Sequence, residues 1–356
     1  MPDFHLAPQT ALLVAARGTG PEHGLMRWAV RDGRWTGTLL ARVNQLSSLA
    51  RHPFLPVLYG TSRMGMEGDI HAWRLDGDSA KTLGETSSVG GEPCHLVVDP
   101  SGRVLLFANY NTCTIGVQRL DATGGFDGPV DLLRLKGSGP EADRQEDAHP
   151  HQLFFIGDTL VAIDLGADLV REYAIDLTRP GAEALVETRR TRVPAGCGPR
   201  HGVVLEDGRL AISGELGSNL VVGRRGDPAE AWADVRSTVR NGPAKTRHLR
   251  NYPGDIQRSP DGRYVYFANR GYDTMTTFDV TAALPVLVSE LDTGTAWPQH
   301  LLATADHVLV AGWDSSAVRA FPLRGGQPAE ATTLFDCPGA GWLMLWDERG
   351  AGTGRY

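Results

Sequence analysis

The stretch GEPCHLVVDPSGRVLLFANYNTCTIGVQRL (Gly91–Leu120) recurs as YPGDIQRSPDGRYVYFANRGYDTMTTFDV (Tyr252–Val280), and looser copies begin at His149, Cys197 and Ala296. Each copy reads as an apolar strand, an Asp-Gly-type turn, a second apolar strand, a polar loop and a third, alternating strand. A period of roughly 40–55 residues built from short strands is the mark of a β-propeller. Few other folds accept such a repeat, because each unit exposes an apolar face that only a neighbouring copy can cover.

The second strand of the repeat is the easiest to trace. It appears as LLVAA (Leu12–Ala16), LPVLYG (Leu55–Gly60), VLLFAN (Val104–Asn109), TLVAID (Thr159–Asp164), RLAIS (Arg209–Ser213), YVYFAN (Tyr264–Asn269) and HVLVAG (His307–Gly312). Short apolar runs bounded by Gly, Asp and Pro suit strands buried on both faces. The first run has no partner strand before it, and the last apolar run, WLMLW (Trp342–Trp346), has none after it. The economical solution is an all-β, seven-bladed β-propeller with four-stranded blades. In it the C-terminal run supplies the innermost strand of the N-terminal blade, which removes exposed sheet edges. One domain spanning residues 1–356 is expected.

Composition narrows the function. The chain is 41% hydrophobic and 22% charged, ordinary for a globular protein. No apolar run reaches the ~18 residues of a membrane helix. The N-terminus MPDFHLAPQT has an early Asp and no basic segment, so no secretory leader is expected. Four cysteines at irregular spacing (Cys94, Cys113, Cys197, Cys337) suggest free thiols in a reducing cytoplasm. A net charge of −7 argues against a general nucleic-acid surface. The locally basic Gly223–Asn251 reads as a solvated outer strand and loop, and the glycine-rich GTGPEHG (Gly18–Gly24) as a loop without the strand-to-helix setting of a phosphate cradle.

In a blade, the start of the first strand and the end of the second share one end of the sheet. The starts carry Cys94 and His95, His149 and His151, Arg200 and His201, Asp255, then Gln299 and His300. The ends carry Asn109 and Tyr110, Asp164, Glu215, Asn269 and Arg270, then Trp313 and Asp314. Arg200 and Glu215 flank one hairpin, so antiparallel pairing brings them within ion-pair reach. Two arginines, a carboxylate and a histidine in successive repeats suit an anionic substrate or a developing oxyanion, with His151 or Glu215 for proton transfer. His95, His149, His201, Asn109, Asn269, His300 and Trp313 are the candidate substrate contacts. The histidines and cysteines lack a metal-ligand spacing, so neither a metal nor another cofactor is expected. Asp164 and Asp168 in DLGAD read as bonding backbone amides in a tight loop.

At these residues the chain resembles the lactonase family of seven-bladed propellers, which includes propeller-type 6-phosphogluconolactonase and 3-carboxy-cis,cis-muconate lactonizing enzyme. The motifs are RQEDAHPHQ (Arg144–Gln152), DLGAD (Asp164–Asp168), GPRH (Gly198–His201), GEL (Gly214–Leu216) and SPDGRYVYFANRG (Ser259–Gly271). The resemblance is strong from about Gly90 to Asp279. It implies His151, Arg200, Glu215 and Arg270 as active-site groups, and chemistry without a metal. It departs at VAARGTG (Val14–Gly20), at Pro298–His300, where Gln299 stands for a common Arg, and at Gly214, where Asn is common. Tryptophans concentrate late, at Trp297, Trp313, Trp342 and Trp346.

The reading expected from this is metal-independent hydrolysis of a small anionic lactone or carboxylate-bearing substrate. Fewer cations and more aromatic surface make a less polar or aromatic lactone as suitable as a sugar phosphate. The same groups suit a lactone-forming cycloisomerase or lyase of the carboxymuconate type, or a specialised-metabolism cyclase. A non-catalytic binding propeller is a third reading. No nucleic-acid or membrane partner is expected, and the sequence leaves the oligomeric state open.

Overall fold

The computed structural model describes residues 4, 6, 10–239 and 250–347. Seven sheets account for the strands. Blade 1 joins Ala340–Asp347 to Thr10–Ala16, Gly24–Arg31 and Arg34–Arg42. Blades 2 to 6 run in chain order, with first strands Leu46–Arg51, Pro93–Val98, Pro150–Ile156, Pro199–Val204 and Tyr252–Arg258. Blade 7 starts at Pro298–Ala303 and carries a fifth, two-residue strand, Gln327–Pro328, beside the expected four. The C-terminal strand therefore closes the N-terminal blade, as the unpaired run Trp342–Trp346 required.

All seven second strands fall where the apolar runs placed them, and their residues are almost wholly buried. Fourth strands such as Ser79–Ser87 and Val286–Asp292 are largely exposed or half-buried. The gradient follows from blade-on-blade packing. Leu106, Ile115, Leu153 and Leu160 join blades 3 and 4, and Leu220, Ile256, Phe267 and Phe278 join blades 5 and 6.

The chain divides into two compact units, one built mainly on Ala7–Arg190 and the other on Thr191–Leu343. No helix among the described residues is long and apolar enough to cross a membrane. The four cysteines are free and buried. Of the basic Gly223–Asn251 stretch, Ala233–Arg236 is the outer strand of blade 5, and residues 240–249 lie outside the described residues.

One irregularity positions the chemistry. The first strands of blades 2 to 7 each slip register near their start, after Leu46, Pro93, Pro150, Pro199, Pro253 and Pro298. A bulge leaves a residue outside the ladder and re-aims its side chain. The residues that follow those six positions are Ser47, Cys94, His151, Arg200, Gly254 and Gln299. The next ones along are Ser48, His95, Gln152, His201, Asp255 and His300.

Candidate active site

In the unit Thr191–Leu343, the bulge of blade 5 is the widest. Pro199 pairs with Gly214 and Gly202 with Ile212, so Arg200 and His201 together face Ser213. The Ser213 hydroxyl accepts from His201 N–H at 3.1 Å and donates to the Gly254 carbonyl at 2.8 Å. That bridge fixes the strand where Arg200 leaves it. Glu215 follows the second strand, its N–H donating to the Gly198 carbonyl at 2.9 Å.

Arg200 Nε lies 3.2 Å from Glu215 Oε2. Arg270, ending the second strand of blade 6, donates through Nη2 to the same oxygen. Its other bonds go to the Tyr252 carbonyl (2.9 Å), the Pro253 carbonyl (3.1 Å) and Gln299 Oε1 (3.4 Å). Arg200, Glu215 and Arg270 are 2%, 6% and 6% exposed. Two guanidiniums therefore converge on one carboxylate oxygen. The indole of Trp297 covers Arg270 at 5.2 Å and meets the Tyr252 ring at 5.8 Å. Trp297 holds a left-handed backbone (φ 55°), with its N–H on Asp273 Oδ1 at 3.0 Å.

One residue further along the same strands, the chemistry closes on itself. His201 Nδ1 donates to Asp255 Oδ1 at 2.9 Å, and His300 Nε2 is 3.7 Å from Asp255 Oδ2. Leu301 N–H donates to that second oxygen at 2.9 Å, and Leu343 N–H to His300 Nδ1 at 3.3 Å. The His300 ring packs on Trp342 at 4.2 Å. Burial, then the Arg200 charge, push His201 down to about 4. Burial likewise lowers His300, so both rings are neutral at pH 7. Burial opposes ionisation of Asp255. The neighbouring His300 and the bonds donated by His201 and Leu301 outweigh it and hold the carboxyl below the usual carboxylate range.

In the unit built on Ala7–Arg190, the bulge residue His151 is buried and meets the Tyr110 ring edge-on at 5.7 Å. His149 stacks on Tyr110 at 4.4 Å, and its Nδ1 donates to the Tyr110 carbonyl at 2.8 Å. Arg144 donates to the Tyr110 hydroxyl at 3.1 Å. His95 Nδ1 accepts from Leu153 N–H at 3.4 Å. It clasps the next blade's first strand, as His300 clasps Leu343. Asp164 takes Arg171 Nε at 2.8 Å and His149 N–H at 2.8 Å, and Asp168 accepts from Gln145 at 2.9 Å.

The remaining sequence candidates fall elsewhere. Asn109 donates to the Ser88 carbonyl and Thr114, and Asn269 to the Ser237 carbonyl, Thr274 and Thr276. Both are fully buried loop anchors. Trp313 is half-buried, its N–H on the Trp297 carbonyl at 2.9 Å. Tyr110, Arg144, Tyr252, Trp297 and Gln299 join the candidate groups on geometry. The repeat itself could have pointed to Trp297, which directly precedes a first strand as Glu92 and Gly198 do, all three left-handed.

Comparison with known proteins fits this geometry. A sequence model of the family described as "Lactonase, 7-bladed beta-propeller" matches residues 11–343, in keeping with the all-β fold of seven blades. A 6-phosphogluconolactonase of Bacillus subtilis is 27% identical over 274 residues, 74% of this chain and 75% of that one. A crystal structure of a Lactobacillus plantarum protein superposes with a TM-score of 0.81 at 26% identity, covering 95% of this chain and 99% of that one. The periplasmic gluconolactonase of Pseudomonas aeruginosa gives a TM-score of 0.76 at 22% identity, covering 94% and 98%.

Proposed function

The chain belongs to the lactonase family of seven-bladed β-propellers, and from that premise we propose that it hydrolyses a small anionic lactone at the Arg200–Glu215–Arg270 cluster. One observation carries the reading: two guanidiniums meet one carboxylate oxygen, and all three side chains are more than nine-tenths buried. The fold gains little from such a triad, since buried ion pairs are often no better than apolar packing. The cluster keeps one positive charge in excess, which suits an anion.

In the proposed reaction, water adds to the lactone carbonyl and the charge gathers on its oxygen. Arg200 and Arg270 cannot lose their protons and donate to that oxygen or to the substrate's anionic group. Glu215 holds the two guanidiniums together. The ring C–O bond then breaks, the alkoxide takes a proton, and a hydroxy acid leaves. His151 occupies in blade 4 the bulge position that Arg200 occupies in blade 5, and is the candidate proton carrier. These steps use side chains alone. Four buried thiols fit a reducing compartment, so the cytoplasm is the proposed location.

Glucono-δ-lactone and 6-phosphoglucono-δ-lactone, the substrates that the relatives' names suggest, are the first to assay. Arg270→Met should lower kcat by ~10²–10³-fold, the usual effect of one lost oxyanion donor. His151→Gln should lower it by ~10²–10⁴-fold. Near wild-type turnover in both variants, with the fold intact by circular dichroism, would sink the assignment.

A further inference from the structure

Blade 2 holds an acid–histidine cluster that the proposed reaction does not use. The hairpin of Glu67–Asp76 and Ser79–Ser87 pairs His71 with Glu85 and Asp69 with Ser87. Side-chain alternation puts Asp69, His71 and Glu85 on one face. One donor atom from each lies within 4.8 Å of the others. His71 Nδ1 is 3.5 Å from Glu85 Oε2, and the His71 side chain is only 8% exposed.

The surroundings prepare the imidazole as a ligand. Its Nε2 engages the Ser62 hydroxyl at 3.2 Å, on the neighbouring strand where Ser62 pairs with Asp69. A partner on one ring nitrogen fixes the tautomer and turns the other nitrogen's lone pair toward the carboxylates, as in metal-ligating histidines. The ring lies flat on Trp73, at 5.4 Å and 6°. Burial lowers the pKa of His71, which keeps the ring neutral. Burial raises the Asp69 carboxyl, and the charges of Glu85 and Glu67 add to this against the opposing His71. Among the described residues, neither Asp69 nor Glu85 has a Lys or Arg partner.

We propose that Asp69, His71 and Glu85 bind one first-row divalent cation of the zinc class through two carboxylate oxygens and one imidazole nitrogen. Water completes the shell. Zinc–ligand distances of about 2.0–2.2 Å require the three donors to close up. Glu85, 62% exposed on its side chain, can swing in to do so. The imidazole favours zinc, cobalt or nickel over calcium or magnesium. The cation would pin the hairpin's outer strand to the two strands within it.

The test is titration of the chelator-treated full chain with cobalt(II) and zinc(II), followed by visible absorption and calorimetry. One equivalent of cobalt should give d–d bands that zinc abolishes, and zinc should raise Tm. Asp69→Asn and Glu85→Gln should each weaken binding at least ~10-fold, and Ser62→Ala by ~10–100-fold. Lactone hydrolysis should be the same with and without metal, which separates this site from the proposed active site. Because His71 is buried, the double variant Asp69→Asn/Glu85→Gln decides: its Tm without metal should equal that of the wild type. No saturable uptake by the wild type, or equal uptake by the double variant, would overturn the proposal.

Discussion

Blades 5 to 7 carry two polar clusters on neighbouring residues of the same strands, and the two are built on opposite terms. In Arg200–Glu215–Arg270, positive charge exceeds negative, and Trp297 packs on Arg270 without adding an anion. In His201–Asp255–His300 the anion is ringed by donors, and each ring nitrogen described above faces a carboxylate or a backbone N–H. The first cluster has charge left over for a ligand. The second spends its hydrogen bonds on three first strands and the closing strand. Proximity and burial alone do not distinguish working groups from fixing groups, whereas the balance of donors and charge does.

The largest effect expected is on the fixing cluster. Asp255→Asn leaves two buried histidines and the Leu301 N–H without their anion. Breaking a buried, hydrogen-bonded charge typically costs about 3–5 kcal/mol. Urea unfolding should show that loss, while the activity of the molecules still folded falls far less than in Arg270→Met. If Asp255→Asn instead keeps its stability and loses turnover, the two clusters are one machine and the distinction fails.

Acid should act on the same cluster. His201 is held near 4 against an ordinary value of 6.5. The unfolded chain therefore takes up a proton before the native one does, and stability present above pH 6.5 is lost as pH falls toward 4. The shift corresponds to about 3 kcal/mol. Asp255, lowered in its turn, adds a further loss below its ordinary value of 3.8. Unfolding free energies measured between pH 7 and 4 should fall steeply in the wild type and less steeply in His201→Gln. Equal slopes would mean that His201 is not the titrating group.

Seven apolar runs were enough to place seven second strands, because a strand buried on both faces needs little besides hydrophobicity and turns at its ends. The Arg200–Glu215 ion pair was legible for a similar reason, as a short hairpin leaves its two ends nowhere else to go. The bulges were not. Alternation would put Arg200 and His201 on opposite faces, and the slip that sets them both against Ser213 depends on Gly254 in the next blade. Asp255 belongs to no motif, and its role appears only when three blades are assembled. Asp69, His71 and Glu85 needed the hairpin register of blade 2, which the sequence between Glu67 and Ser87 does not announce.

Gly254 gives a smaller and more selective way to separate the clusters. Its backbone is not left-handed, but a Cβ there would lie 3.1 Å from Arg270 Nε and 3.2 Å from Cδ. Gly254→Ala should press on Arg270 and leave Asp255, the next residue, in place. A few tenths of an ångström at an oriented donor matters for catalysis. Turnover should fall about tenfold with stability within ~1 kcal/mol of wild type, consistent with mild overpacking. A stability loss as large as that of Asp255→Asn would place Gly254 with the fixing cluster.

The finest test concerns Trp297, where fold and function pull in opposite directions. A left-handed backbone at a bulky residue costs about 1–2 kcal/mol, and glycine adopts it freely. Trp297→Gly keeps the N–H that Asp273 accepts and removes the ring from Arg270 and Tyr252. The lost cation–π contact is worth about 0.5–1 kcal/mol at a partly exposed position, less than the strain released. Stability should therefore hold or rise slightly. If the indole serves the substrate, KM should rise by about 2–5-fold with kcat nearly unchanged, because a platform beside the arginine binds ground and transition states alike. A drop in stability with KM unchanged would mean that the ring belongs to the packing of blades 6 and 7, and the working cluster would then end at Arg270.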